Sequence, residues 1–270
     1  MSRCLVKGIP IGRVEPVRLM GVINCSPESF YKGSYVCSGT VLCRAVDMIA
    51  AGADIIDLGA RSTAPGAPPL SEQVEAERLD QALGELDGSG IPVSVDTMHA
   101  PVLERCCSHD IHAANDISGL RDPAYARLVA DAGLPAFLMA SERNPGDSTT
   151  LAGTFAALET VVSRCADAGI DSYVLDPAIG LWTPERTTDL DWELCRNFGD
   201  FTRFGRPLLA AVSRKTFLGE PGNRPAEERL AASLGMTALL IGKGADVVRT
   251  HDVAETAEVI RTAARVVDRP

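Results

Sequence analysis

The feature that most constrains this chain is a pattern that recurs eight times, in which a short apolar run is followed by a segment with helical periodicity. The eight apolar runs lie at 18–24, 54–59, 92–97, 113–118, 135–140, 173–176, 208–213 and 246–251. Apolar runs of this kind are typical of strands that are buried on both faces, as in a parallel sheet. Eight such strand–helix units with short joints close most simply into a (β/α)8 TIM barrel, which is the predicted fold.

The helical segments alternate with the strands and complete the eight units. They are predicted at 40–51, 71–86, 100–108, 123–131, 155–168, 186–204, 226–241 and 253–267. Several end in a glycine directly before the next strand, as at Gly52, Gly169 and Gly244, and glycine there takes the left-handed conformation that ends a helix. A doubly wound open sheet is the alternative, but it would need a glycine-rich phosphate loop after the first strand, and the sequence has none there.

A short arm precedes the barrel. Residues 1–17 are punctuated by Gly8, Pro10 and Gly12, which predicts a hairpin or arm. The first ten residues contain no long apolar core, so no signal peptide is expected. The remaining residues, 18–270, fit one barrel domain, because barrels of about 250 residues are routinely single domains.

Composition narrows the class of protein. The formal net charge of the 270 residues is -10, which argues against nucleic acid or an anionic membrane as a partner. No apolar run approaches the about 20 residues needed to cross a bilayer. The eight cysteines form no CxxC pair, and we interpret them as reduced, mostly buried thiols of a cytoplasmic protein.

Polar residues collect where the predicted strands end. Taken along the chain, these residues are Asn24, Arg61 to Thr63, Asp96, Asn115 with Asp116, Asp176, Lys215, and Arg249 with His251, while the fifth strand ends at Met139. Singly, each has an ordinary structural explanation, since Asp96 can cap a helix and Asp176, before Pro177, can form a turn. Because the carboxyl ends of barrel strands form the catalytic face, their shared position favours an active site.

The residue types indicate a flat polar ring as one ligand. The Asp176 carboxylate can accept from ring N–H groups, the Lys215 ammonium can donate to ring oxygen or nitrogen, and the Asn115 amide can do both. Met139 would supply a soft wall against a planar ring. Asp96 can stabilise a cation that develops during a reaction.

A second group of residues indicates an anionic leaving group. Asn24, Arg249 and His251 form a basic corner that suits a phosphate or a pyrophosphate together with Mg2+. The inferred ligand pair is therefore a flat polar ring and a phosphorylated leaving group.

Seven motifs, in order along nearly the whole chain, resemble those of dihydropteroate synthase. They are MGVINCSPESF at 20–30, DIIDLGARSTAPG at 54–66, SVDT at 94–97, NDISGLRD at 115–122, LDP at 175–177, VSRK at 212–215 and VRTHD at 248–252.

The resemblance implies a TIM-barrel enzyme that joins 6-hydroxymethyl-7,8-dihydropterin pyrophosphate to an arylamine and releases pyrophosphate with Mg2+. By family role, Asp96, Asn115, Asp176 and Lys215 would hold the pterin, Asn24 would ligate Mg2+, Thr63, Arg249 and His251 would bind pyrophosphate, and Ser213 would lie beside the arylamine. The resemblance implies an SN1-like route in which Asp96 stabilises the pterin cation. Lys215 is predicted to be the second catalytic residue. It also implies a homodimer.

The chain departs from the family pattern in four places. The first loop, usually NxTPDSFSDGG, here carries Glu28 and a positive Lys32. The second loop, usually ESTRPG, has lost its arginine to Ala64 and gained Arg61 three positions earlier. The fifth strand ends in LMA instead of LMH, and DPGFGFGK becomes DPAIGLWT at 176–183. The pterin side is therefore kept, whereas the arylamine and pyrophosphate side is rebuilt.

We interpret the rebuilt side as a changed second substrate. The first-loop wording resembles archaeal family members, whose arylamine is a phosphorylated ribosyl-aminobenzene of methanopterin synthesis. Lys32 and Arg61 would then bind the added phosphate. The alternative is that both are solvated loop charges, with Arg61 replacing the missing loop arginine.

Two other functions stay open at this point. Pterin-dependent methyltransferases that serve corrinoid proteins share the pterin floor, but they lack the SRK and STxPG elements present here. A paralogue that binds pterin without turning it over is the other, because the loop arginine and the LMH histidine are missing.

Overall fold

A computed structural model describes residues 3–26, 36–61, 70–220 and 222–267. Its strands are β1 (Cys4–Val6), β2 (Ile9–Ile11), β3 (Arg18–Asn24), β4 (Ile55–Gly59), β5 (Val93–Asp96), β6 (Ala113–Asp116), β7 (Ala136–Met139), β8 (Tyr173–Asp176), β9 (Leu209–Ala210) and β10 (Val247–Thr250). Strands β3 to β10 form one parallel sheet in the order β8-β7-β6-β5-β4-β3-β10-β9. A parallel bridge between Leu175 and Leu208 joins the two edges and closes the barrel. The predicted (β/α)8 fold is confirmed.

Eight α-helices surround the barrel in the described part of the chain. They are α1 (Val41–Ala50), α2 (Glu72–Leu86), α3 (Ala100–Cys106), α4 (Pro123–Asp131), α5 (Leu151–Ala168), α6 (Thr188–Arg196), α7 (Leu230–Gly242) and α8 (Val253–Ala263). Three short 3-10 helices lie at Phe198–Phe204, Thr216–Gly219 and Ala226–Glu228. None of the helices in the described ranges is long and apolar enough to span a membrane.

Local side-chain chemistry explains where the helices differ from prediction. Helix α5 begins four residues earlier than expected because the Thr150 hydroxyl accepts the Gly153 N–H as an N-cap. The helix expected at 186–204 is divided after Arg196, where the Asn197 side-chain amide donates to the Glu193 carbonyl and a 3-10 segment follows. The expected glycine joint is present at Gly169, which ends α5 with φ of +72°.

The N-terminal hairpin closes one end of the barrel. Strands β1 and β2 pair antiparallel, and Cys4, Val6 and Ile11 are fully buried. They pack against inward-facing residues from the first half of the barrel strands: Met20, Ile55, Ala113, Phe137, Val174, Leu209 and Val247. This packing leaves the opposite end, where the strands finish, for chemistry.

We expect the hairpin to contribute directly to stability. Replacing Ile11 with Ala should lower the free energy of unfolding by about 2–5 kcal/mol, because it opens a cavity in a closed core. Leu5→Ala, on the same hairpin but at a side chain that is 53% exposed, is the matched control and should change little. Urea unfolding of both variants checks this, and equal effects would contradict a packing role for the hairpin.

Candidate functional site

The strand ends bring the predicted polar residues together at one mouth. Asp96 at the end of β5 is the register neighbour of Asn115 on β6. Met139 at the end of β7 is the register neighbour of Asp176 on β8, and both are buried. The positions therefore share one face of the barrel, as the sequence predicted.

A buried ion-pair network lies at the centre of this mouth. The Arg249 guanidinium donates from Nε to Asp57 Oδ2 at 2.7 Å and from Nη2 to Asp96 Oδ2 at 2.6 Å. Asn115 Nδ2 donates to the same Asp57 oxygen at 3.0 Å. This bond uses one of the two N–H donors of the Asn115 amide and fixes the orientation of the amide.

Asp57 belongs to this network, and sequence reasoning did not single it out. Its side chain is fully buried, and Oδ1 has no hydrogen-bond partner in the structure. Buried carboxylates are rare without a role, since desolvating a charge is costly. The signal was present in the sequence, because Asp57 interrupts the apolar run of β4 and a barrel strand is buried on both faces.

The environment of Asp96 sets its protonation near neutral pH. Burial raises the pKa of Asp96 to about 7, with further raising by Asp57, Glu75 and Asp116, while Arg249 opposes the shift. About a quarter of the side chain, 23%, remains exposed at the mouth. Asp96 is therefore a carboxyl group that changes charge in the range where enzymes work.

Asp176 and Lys215, after neighbouring strands of the barrel, are close enough to affect each other's pKa. Burial raises the pKa of Asp176, and the Lys215 ammonium counteracts this. Burial lowers the pKa of Lys215, and Asp176 counteracts that shift in turn. Lys215 Nζ also donates to the Ile179 carbonyl. Each group thus favours the charged form of the other in a site that disfavours charge.

Ser213 and His251 form a second pair beside Lys215. Ser213 Oγ lies 3.0 Å from His251 Nδ1 and accepts the His251 backbone N–H at 3.2 Å. Burial, with the nearby cations Arg249, Arg214 and Lys215, lowers the pKa of His251 to about 3. The imidazole is therefore neutral, and a Ser213 hydroxyl that donates to Nδ1 leaves the ring proton on Nε2.

Arg214 fixes the two loops that carry these residues. Its Nε and Nη2 atoms donate to the two carboxylate oxygens of Asp252 at 2.8 and 2.7 Å. Such a bidentate bond ties the segment after β9 to the segment after β10. Ser213 and His251 are thereby held at a fixed separation.

Comparison with known proteins identifies the family. The family described as pterin binding enzyme matches residues 20–251. Dihydropteroate synthase of Bacillus subtilis is 35% identical over 254 residues, covering 92% of this chain and 87% of the relative. That of Mycobacterium leprae is 34% identical over 266 residues, covering 92% and 93%. The chain belongs to the dihydropteroate synthase family.

Solved structures of this family share the fold. A Coxiella burnetii dihydropteroate synthase in complex with pteroic acid matches with a TM-score of 0.85 and 29% identity, covering 98% of both chains. A Xanthomonas albilineans dihydropteroate synthase with 4-aminobenzoic acid matches with a TM-score of 0.87 and 29% identity, covering 99% of both.

The Arg61 side chain forms hydrogen bonds with neighbouring groups of the same chain. Its Nε donates to Glu75 Oε2 at 2.7 Å and its Nη2 to the Leu70 carbonyl at 2.6 Å. Burial would raise the pKa of the Glu75 carboxyl, but hydrogen bonds from His99, Thr97 and Arg61 outweigh it and lower the pKa. The geometry supports a structural role for Arg61 at the base of the second loop more than a phosphate-binding one. Lys32 and Thr63 lie outside the described residues.

The surroundings of Asn24 show whether the described residues fit the predicted Mg2+ site. Asn24 ends β3 beside Gly59 of β4. Among the described residues, no group of three or more His, Cys, Asp or Glu side chains converges as a metal site. A single amide oxygen fits Mg2+ only if substrate phosphates and water supply the other ligands, which is the usual arrangement for this ion.

Removing the charge of Asp57 should shift the titration of Asp96. Asp57→Asn keeps an acceptor for Arg249 but removes a negative neighbour that raises the pKa of Asp96, so that pKa should fall from about 7, by about 1 unit. Carboxyl-carbon NMR titration, assigned with Asp96→Asn, measures it.

Asp246→Asn is the matched control, because Asp246 is also buried but accepts the Leu208 N–H at the opposite end of the barrel. Its substitution should leave the Asp96 titration in place. An unchanged or raised Asp96 pKa in Asp57→Asn would contradict the network.

Proposed function

We propose that this protein is a dihydropteroate synthase, which joins 6-hydroxymethyl-7,8-dihydropterin pyrophosphate to an arylamine and releases pyrophosphate. The observation that carries the proposal is the convergence of Asp96, Asn115, Asp176 and Lys215 at one mouth of a barrel that belongs to this family. The eight unbridged cysteines of the chain support a reducing compartment, and we place the enzyme in the cytoplasm.

The geometry supports a division of roles toward the pterin. Asp176 accepts from ring N–H groups, and Lys215 donates to ring oxygen or nitrogen. The Asn115 amide, oriented by its bond to Asp57, can offer an N–H donor and a carbonyl acceptor to the ring. Met139, which is 2% exposed beside Asp176, lines the wall of the pocket.

The reaction separates charge, and the residues at the mouth match each part. The bond between the pterin methylene and pyrophosphate breaks, and its electron pair leaves with pyrophosphate. The cation that remains is stabilised by the Asp96 carboxylate. The arylamine nitrogen then supplies an electron pair to the methylene and loses a proton to solvent.

The Nε2–H of His251 would donate to the departing pyrophosphate, and the positive charge of Arg249, whose Nε and Nη2 atoms are bonded to Asp57 and Asp96, would attract it. Mg2+, held by Asn24 and by the phosphates themselves, would neutralise part of the charge on that leaving group.

We favour p-aminobenzoate over a phosphorylated arylamine as the second substrate. Arg61 was the described residue expected to bind the extra phosphate, and its guanidinium is bonded to Glu75 and Leu70 instead. A Xanthomonas albilineans relative was solved with 4-aminobenzoic acid.

Pyrophosphate release tests the proposed function directly. Purified protein with Mg2+ and the pterin pyrophosphate should turn over with p-aminobenzoate. Asp176→Asn should raise the KM for the pterin at least about 10-fold, since it removes a charged acceptor in a buried site. Asp200→Asn, at an exposed position away from the mouth, is the control and should behave as wild type.

The other outcomes assign other functions. Turnover with the phosphorylated ribosyl-aminobenzene alone would place the enzyme in methanopterin synthesis. Pterin binding without pyrophosphate release in the presence of either amine would leave the non-catalytic paralogue or the corrinoid methyltransferase.

We further propose that the enzyme is a homodimer that associates through α7. This helix contains no charged residue, buries Ser233 and Thr237, and exposes Leu239 by 61%. Its other exposed positions are small: Ala231, Gly235, Ala238 and Gly242. Because the chain carries a net charge of -10, a second copy is repelled by most of the surface, and an uncharged face is where two copies can meet.

Leu239→Glu should convert the dimer to a monomer, because it places two like charges at a symmetric contact. Light scattering after size-exclusion chromatography measures the mass. Val46→Glu is the matched control, at a side chain of α1 that is 50% exposed, and should leave the dimer intact. A monomeric wild type, or a dimer that persists in Leu239→Glu, would contradict the proposal.

A further inference from the structure

Trp182, in the segment after β8, contacts the predicted pterin lysine. The centroid of its indole ring lies 5.0 Å from Lys215 Nζ. The indole N–H donates to the Ala178 carbonyl at 3.0 Å, which fixes the plane of the ring. An ammonium at this distance from an indole face is attracted by the negative charge on that face.

The segment 178–182 encloses Lys215 with its backbone as well. The Ile179 carbonyl accepts from Lys215 Nζ. Gly180, with φ of +134°, comes so close that a Cβ at this position would lie 3.1 Å from the same nitrogen. The Gly180 N–H donates to the buried Asp191 carboxylate at 2.6 Å, which attaches the segment to helix α6.

The loop after β7 holds Trp182 from its other side. A Cβ at Gly146 would lie 2.4 Å from the Trp182 side chain, so only glycine lets that backbone pass. Buried Arg186 donates to the Gly146 carbonyl at 3.1 Å and to the Ala178 carbonyl at 2.8 Å. Two loops and a buried cation therefore keep the ring against the lysine.

We propose that Trp182 is a positioning residue for Lys215 and thereby a determinant of pterin affinity in this chain. The affinity part rests on the proposed function, in which Lys215 donates to the pterin. A lysine side chain is flexible, and ordering it on binding costs conformational entropy. Where the ring and the backbone already hold it, that cost falls before the ligand arrives.

Charge balance at the lysine points the same way. Burial lowers the pKa of Lys215, and the carboxylates of Asp176 and Asp191 oppose that change. The face of an indole ring favours the ammonium over the neutral amine without adding a net charge. Trp182 thus supports the protonated donor in a desolvated place.

The first test is spectroscopic and needs no ligand. The chain contains two tryptophans, so Trp192→Phe leaves Trp182 as the sole tryptophan reporter, and Trp182→Phe leaves Trp192. Lys215→Gln should change the emission spectrum in the first background and leave the second unchanged. Equal changes in both backgrounds, or none in the first, would overturn the contact.

The second test is pterin affinity. Trp182→Leu should weaken binding of a dihydropterin by about 10-fold, whereas Trp182→Phe, which keeps an aromatic face, should lose less. The KM for the arylamine should stay unchanged in both. Titration calorimetry with the pterin and initial-rate kinetics measure the two quantities.

Trp192→Leu is the matched control for general loss of packing. Trp192 contacts Phe217 edge to face at 4.9 Å and donates to Glu220 at 3.1 Å. Its removal should destabilise the fold without changing pterin affinity. Equal losses in Trp182→Leu and Trp192→Leu, or no recovery in Trp182→Phe, would overturn the positioning role.

The two tests separate the inference from the proposed function. A wild type that binds no pterin overturns the proposed function and the affinity part of the inference with it. The emission of Trp182 in the Lys215→Gln variant decides the ring–ammonium contact in either case.

Discussion

The bond from Arg249 to two carboxylates is the interaction on which the mouth of this barrel depends. Asp57 is fully buried, and a buried carboxylate is tolerated only when paired. Arg249 supplies the opposite charge. It also forms a second ion pair with Asp96, which is partly exposed at the mouth. Asn115 is oriented by the same Asp57 oxygen. One cation therefore sets the direction of an amide and limits the upward pKa shift of a carboxyl group.

The barrel separates stability from chemistry along its axis. At one end, the hairpin of β1 and β2 completes an apolar cluster with the first halves of the barrel strands. At the other end, Asp96, Asp176 and Lys215 stand in surroundings that disfavour charge, and each depends on an opposite charge nearby. Apolar packing at the first end stabilises the fold, whereas the buried charges at the second end serve chemistry, which is the usual division in TIM barrels. Substitutions at the two ends should accordingly have different consequences.

Sequence reasoning predicted the fold, which is confirmed, and proposed as site residues the polar residues that end an apolar run, because such an interruption can be recognised from the sequence alone. Asp57 was missed because it lies within a strand, where only the inward direction of its side chain gives it a role. The sequence suggests a phosphate-binding role for Arg61, because its partner, the 1% exposed Glu75, lies on the next helix and cannot be paired with it from spacing alone. The contact of Trp182 with Lys215 joins two loops and depends on their folded geometry.

In the described part of the chain, the charge gained at Arg61 is compensated within the protein. Arg61 adds a positive charge at the base of the second loop, but Glu75 neutralises it, and Glu75 also accepts from Thr97, which follows Asp96 directly. Arg61 therefore has a structural role next to the site. It stabilises the Glu75 carboxylate, which raises the pKa of Asp96. Trp182 likewise brings no charge to Lys215, only a polarised face. Neither the paired Arg61 nor the uncharged Trp182 therefore adds net charge beside Asp176 and Lys215.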